Sequence, residues 1–263
     1  MLTQSNNHLT QSKNKLMAGR VVLVTGASRG IGAATAKLLA SQGAAVGVNF
    51  HSNSSAASSV LEEIEAEGGK AITVKADVKD EAQVEAMIQQ VSEEFGSIDT
   101  LILNASIKFA TAPFVEYKWS DFEEKLVGEL KAAFYCCKAV APSMVERKQG
   151  CIVVTSSAAS RIPTPGLISH NTAKSGIDGF VKSLALELGP HGIRVNAVAP
   201  GLTQTDATAT IPQVMKDAAI QMTPLRRIAK PDDIAKAILL LASSEANFIT
   251  GAYLPVSGGI QML

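Results

Sequence analysis

Short apolar runs alternate with longer amphipathic stretches from one end of the chain to the other. The runs RVVLVTG, AAVGVNF, AITVKAD, TLILNAS, CIVVTSS, IRVNAVAP and AYLPVSGG read as seven strands, each brief and closed by turn residues. Between nearly all of them the apolar positions recur at helical spacing. Each crossover then returns the chain to the same sheet end, so the pattern predicts an α/β fold with a doubly wound parallel sheet and helices on both faces. Connections are short and no repeat or linker stands out, which makes residues 19–263 one domain. Two stretches break the pattern. The polar opening MLTQSNNHLTQSKNKLMA, residues 1–18, reads as a disordered tail. Residues 201–229, with Pro212, Pro224 and threonines at 203, 205, 208 and 210, read as a long loop, hence a mobile lid over about 202–229.

Composition narrows the function. At 263 residues and 46% apolar content the chain can bury a real core. Its 24 basic and 24 acidic residues leave no net charge, so nothing advertises a nucleic-acid surface or an acidic partner, and a small-molecule substrate is expected. The three cysteines, Cys136, Cys137 and Cys151, give neither a disulfide framework nor ligand spacing, and the histidines show none with them, so no metal is expected. Without a signal-peptide run or a membrane-length apolar segment, the reading is a cytoplasmic protein that does not enter a membrane.

Ligands of such sheets gather at the carboxyl ends of the strands. There, TGASRGIG (Thr25–Gly32) follows the first strand and opens a helix. Gly26 permits the tight turn, while Gly30 and Gly32 let the backbone approach a pyrophosphate at the helix N-terminus, with Ser28, Arg29 and Ile31 on the same turn. The spacing is G-x-x-x-G-x-G. With ADV at 76–78, LNA at 103–105, VTSS at 154–157, the lysine of NTAKSG, RVNAVAPG at 194–201 and the closing TGAYLPVSGG, the chain resembles the short-chain dehydrogenase/reductase family from about Leu16 to Gly259. It is similar to the branch that holds 3-oxoacyl-carrier-protein reductases. The resemblance implies a Rossmann-type single domain and a nicotinamide cofactor.

It also implies residue roles. Asp77 and Val78 would meet the adenine, Asn104 the cofactor ribose region, and Lys174 the nicotinamide ribose; Pro200, Gly201, Thr203 and Thr205 would hold the carboxamide. Charge favours NADP(H), because no acid stands between Gly43 and Glu62, while Arg29 and His51 are placed to pair with a 2′-phosphate. The helices around 122–137 and 175–188 resemble those that pair subunits in the family, which implies a homo-oligomer, dimer or tetramer.

At the reaction centre the chain departs from its family. The pattern there is a serine, a tyrosine, a lysine four residues later, and an asparagine on an earlier helix. Ser157 and Lys174 match, but the tyrosine position is His170 and the asparagine position is Glu129. Glu129 falls within the stripe Phe122, Leu126, Leu130, Ala133, Phe134 and Cys137, so its carboxyl faces the core and must either pair or hold its proton to high pH. An imidazole is shorter than a phenol, leaves room for a bridging water, and stays neutral beside Lys174. Three readings therefore stand: carbonyl reduction with His170 and Glu129 relaying the proton, reduction of an activated alkene, or nucleotide binding without turnover. Ser106 also replaces the glycine of the family's N-A-G, with no role implied.

Overall fold

A computed structural model describes residues 15–262. Its strands are β1 (Val21–Val24), β2 (Ala45–Phe50), β3 (Lys70–Lys75), β4 (Thr100–Leu103), β5 (Gly150–Thr155), β6 (Ile193–Pro200) and β7 (Tyr253–Val256). They form one seven-stranded sheet in the order β3-β2-β1-β4-β5-β6-β7, and every neighbouring pair is parallel. A fully parallel sheet is covered on both faces, which is why β1 and β4 are buried at every position rather than alternating.

One face packs α3 (Glu81–Phe95), α4 (Trp119–Arg147) and α5 (Ile168–Leu188) through Met87, Val91, Cys136, Val140, Ile177 and Val181. The other packs α1 (Gly30–Ser41), α2 (Ser54–Ala66) and α8 (Pro231–Ala242) through Ala36, Leu39, Val60, Ile64, Ile234 and Ile238. The chain runs from β1 outward to β3, then crosses back to β4. The strand order reverses between β1 and β4, and a crevice opens at that edge. The trailing polar residues of three predicted strands, Thr25-Gly26, Asn104-Ser106 and Ser156-Ser157, lie just past the observed strand ends, at this crevice.

Three expectations need correction. Residues 1–14 of the expected tail lie outside the described residues, but the chain is packed from Lys15 onward: Met17 is buried and its N–H donates to Gln42 O at 3.0 Å. The expected lid is not one long loop. It contains α6 (Asp206–Ala209) and α7 (Gln213–Met222), and its ends meet in a bridge between Thr203 and Ala229. The predicted stripe on α4 holds at Glu129, Ala133 and Cys137, which are buried, but not at Phe134, which faces outward; the buried face also takes in Lys125, Ala132, Cys136 and Val140. The three cysteines are unpaired and buried, and burial pushes the Cys136 thiol up to about 12. Among the described residues, no helix is long and apolar enough to cross a membrane.

Candidate active site

The glycine turn is built from its neighbours. Gly26 has φ +61°, a left-handed backbone that glycine adopts without strain, and an added Cβ there would lie 2.8 Å from Ala105 Cα. Thr25 Oγ1 accepts from the backbone N–H groups of Asn104 and Ala105 at 2.9 and 3.1 Å, locking the ends of β1 and β4 together. Asn104 Nδ2 donates to Thr25 O and Gly26 O, both at 3.1 Å, so this side chain braces the turn from within. From the other side, buried Asn49 accepts from Gly26 N at 3.1 Å through Oδ1 and turns its Nδ2 to the carbonyls of Phe50, Val74 and Ala76. Gly32 has a different role from the one its spacing suggested. A Cβ there would collide with Gly26 O and approach Asn104 Nδ2 to 2.5 Å, so Gly32 lets α1 pack on the turn rather than admitting a ligand.

This cradle fits a pyrophosphate. Arg29 occupies the N-cap of α1 without a side-chain cap, so no side chain covers the N–H groups of the first turn at Gly30 and Ile31. Thr205 comes down over Gly30, where an added Cβ would sit 3.4 Å from its methyl. Thr205 caps α6 in partnership with Thr208, and Thr203 Oγ1 donates to Gly201 O at 3.0 Å, so the residues after Pro200 are held as one turn. Ser28 and Arg29 line a surface groove of about 730 Å³ along α1. The Arg29 side chain is 64% exposed and stands 3.7 Å from Asp206 of the lid. His51 is exposed and 3.9 Å from Asp77, which also accepts from Lys79 N at 3.0 Å. Val78 is buried beside them.

Lys174 and Glu129, two of the residues expected at the reaction centre, meet in a buried cluster. Lys174 is 2.5 Å from Glu129 Oε1 and donates to Thr155 O at 2.8 Å. Glu129 Oε2 accepts from Ile107 N at 3.1 Å and from Lys125 Nζ at 2.8 Å. Lys125 also donates to Ser106 Oγ at 3.0 Å and Ile107 O at 2.7 Å. The relative exposures of Lys125, Glu129 and Lys174 are 0%, 4% and 5%. Burial raises the Glu129 carboxyl, but Lys174 and Lys125 outweigh it and bring it to about 2. Of the two fates expected for this carboxyl, pairing is the one taken. Burial lowers Lys125 to about 8, against the pull of Glu129. Between the cluster and the strand ends lies a void of about 20 Å³ lined by Thr25, Thr155, Glu129 and Lys174.

His170 stacks on Phe109 with ring centroids 4.6 Å apart, and its Nδ1 is buried without a partner among the described residues. Burial, then Lys174 and Lys125, lower it to about 3, which favours the neutral ring near pH 7. Phe109 in turn lies under Lys125, 5.1 Å from Nζ to the ring centroid. Tyr117 secures this loop: its hydroxyl is 2.6 Å from Ser169 Oγ and 2.8 Å from Ala110 O.

Ser157 precedes a 3-10 turn at Ala158–Ser160, and its Oγ accepts from Ala159 N at 3.1 Å, leaving the hydroxyl proton free to donate. Asp178 on α5 fixes that turn by accepting from Ser156 at 2.5 Å and Ser160 at 2.7 Å. The Tyr253 hydroxyl lies 3.1 Å from Ser157 O and 2.9 Å from Gln261 Oε1. Lys125, Asn49, Phe109 and Asp178 were not picked out in the sequence. The available signals were a lone amide in an apolar strand at Asn49 and a lysine one turn before Glu129.

Comparison with known proteins identifies the family. A family profile described as Enoyl-(Acyl carrier protein) reductase matches residues 26–261. The 3-oxoacyl-[acyl-carrier-protein] reductase FabG of Staphylococcus aureus (strain Mu50) is 38% identical over 240 residues, covering 91% of this chain and 97% of that protein. The 3alpha-hydroxysteroid dehydrogenase of Mediterraneibacter gnavus is 40% identical over 245 residues, covering 92% and 97%. A solved 7 alpha-hydroxysteroid dehydrogenase, complexed with NADH and 7-oxo glycochenodeoxycholic acid, superposes with a TM-score of 0.89 at 33% identity, covering 94% of this chain and 96% of that one. Since the likeness runs through nearly the whole length of both partners, the chain belongs to the short-chain dehydrogenase/reductase family of oxidoreductases.

Proposed function

We propose that this chain is an NADP(H)-dependent reductase of a small carbonyl compound, with His170 in place of the usual phenol in proton delivery. The observation that carries the reading is the His170 ring stacked on Phe109 beside the Lys125–Glu129–Lys174 cluster, its Nδ1 unpartnered among the described residues. When bound, the cofactor supplies the hydride. Ser157 donates its free hydroxyl proton to the carbonyl oxygen and holds it in place. Lys174 sets the local charge and orients the ribose. His170, neutral, passes a proton from solvent through its two ring nitrogens rather than storing one. Glu129 is ionised between two ammonium groups, so its contribution is to anchor Lys174 rather than to donate.

The preference for NADP(H) rests on the absence of a carboxylate at the end of β2, where Phe50 is followed by His51, and on the exposed Arg29 at the glycine turn. A second reading, reduction of an activated alkene, draws on the same site: Glu129 and His170 hold no proton to give near neutrality, while carbon can be protonated from solvent. A homo-oligomer through α4 and α5 is in keeping with Val127, Phe134 and Leu186 exposed on those helices.

The test is to mix the purified protein with NADPH or NADH and panels of ketones, quinones, 3-oxoacyl thioesters and enones, following nicotinamide absorbance. NADPH consumed with ketones supports the main reading, and consumption with enones alone selects the second. Tight binding without consumption on any panel overturns both. His170→Tyr is the sharpest variant: loss of the native activity places the imidazole in the mechanism.

A further inference from the structure

Glu129 at the asparagine position raises a problem of charge. A carboxylate 2.5 Å from Lys174 would cancel that ammonium, and a neutral pair exerts little field on its surroundings. The chain carries a second buried cation against the same carboxylate, Lys125, 2.8 Å from the other oxygen. Its ammonium has three acceptors, Glu129 Oε2, Ser106 Oγ and Ile107 O, so it is fully bonded as the charged form. Two ammonium groups against one carboxylate leave a single net positive charge, the same sign and size that Lys174 would have alone.

We propose that Lys125 is a positioning residue that serves as the second counter-ion of Glu129, so that the carboxylate anchors Lys174 without cancelling its charge at the His170 ring. The inference rests on the reading that His170 stands at the reaction centre, but its test uses no substrate. Lys125 and Glu129 are one helical turn apart on α4, and the serine at position 106 completes the socket. The charged groups facing Lys125 are Glu129 on its own helix and Lys174 on α5; the titratable ring of His170 stands beside them. Lys79, whose stem lies near Gly128, stands 3.8 Å from Asp77 instead.

The experiment follows the His170 ring by histidine 13Cε1 NMR from pH 6 to pH 10, with the resonance assigned by its loss in His170→Phe. In the intact chain the signal is expected to inflect near pH 8, where Lys125 loses its proton, and the inflection is expected to vanish in Lys125→Met. A His170 signal that is the same in Lys125→Met as in the intact chain at every pH, or an inflection that persists in Lys125→Met, overturns the proposal. Unfolding midpoints supply a second measure that does not need Lys125→Met to fold alone. Glu129→Gln strands two buried ammonium groups, so adding Lys125→Met to it is expected to raise the midpoint. A double variant no more stable than Glu129→Gln also overturns it. A chain that turns over no substrate fails the proposed function and leaves both results intact.

Discussion

His170 makes the folded protein sensitive to acid in a way its surroundings quantify. The ring titrates near 6.5 in an unfolded chain and is lowered to about 3 here by burial and by the two lysines. A base with a depressed folded value binds fewer protons folded than unfolded between those limits. Stability is therefore full above about pH 6.5 and lost as pH falls from there toward 3. At pH 5 the unfolded ring is almost wholly protonated and the folded ring is not, which costs the folded state about 2 kcal/mol relative to pH 7.5. His170→Phe keeps the stack on Phe109 and removes the titration. Urea unfolding of both chains, followed by circular dichroism at one fixed protein concentration, measures the difference at the two pH values. Groups common to both chains cancel, so the intact chain is expected to lose about 2 kcal/mol more than the variant on acidification. Parallel losses, equal within about 0.5 kcal/mol, refute a buried neutral ring.

Three further outcomes follow from the cradle. Gly32→Ala drives a methyl into Gly26 O and Asn104; destabilisation of about 1–3 kcal/mol in urea and weakened dinucleotide binding are expected, and an unchanged protein contradicts the packing role. Asn49→Leu strips the Gly26 N–H of its acceptor and three carbonyls of a donor; a loss of about 2–3 kcal/mol is expected, and a fully stable variant refutes the brace. Arg29→Ala is expected to weaken NADPH about tenfold by calorimetry while leaving NADH unchanged, and an equal loss for both removes Arg29 from phosphate recognition.

The sheet was legible because its strands are continuous apolar runs and its ligand turn needs glycine at fixed places; that periodicity survives without any knowledge of contacts. Long-range partnership does not. Lys125 reads as a surface residue on a helix, and its true place became visible only once Glu129 and Ile107 were seen around it. On α4 the stripe misleads at one position for the same reason: Phe134 looks inward by its apolarity but is exposed, whereas Lys125 is buried. Asp178 acts across the helix–turn contact on Ser156 and Ser160, residues 22 and 18 places away in sequence, a separation no local pattern reports. Prolines and threonines mark turns, so residues 202–229 read as loop, yet Thr205 and Thr208 cap α6.

The hydroxyl of Tyr253 stitches the carboxy-terminal segment to the backbone of Ser157 through Gln261, so the far end of the polypeptide helps hold the residue expected to grip the substrate.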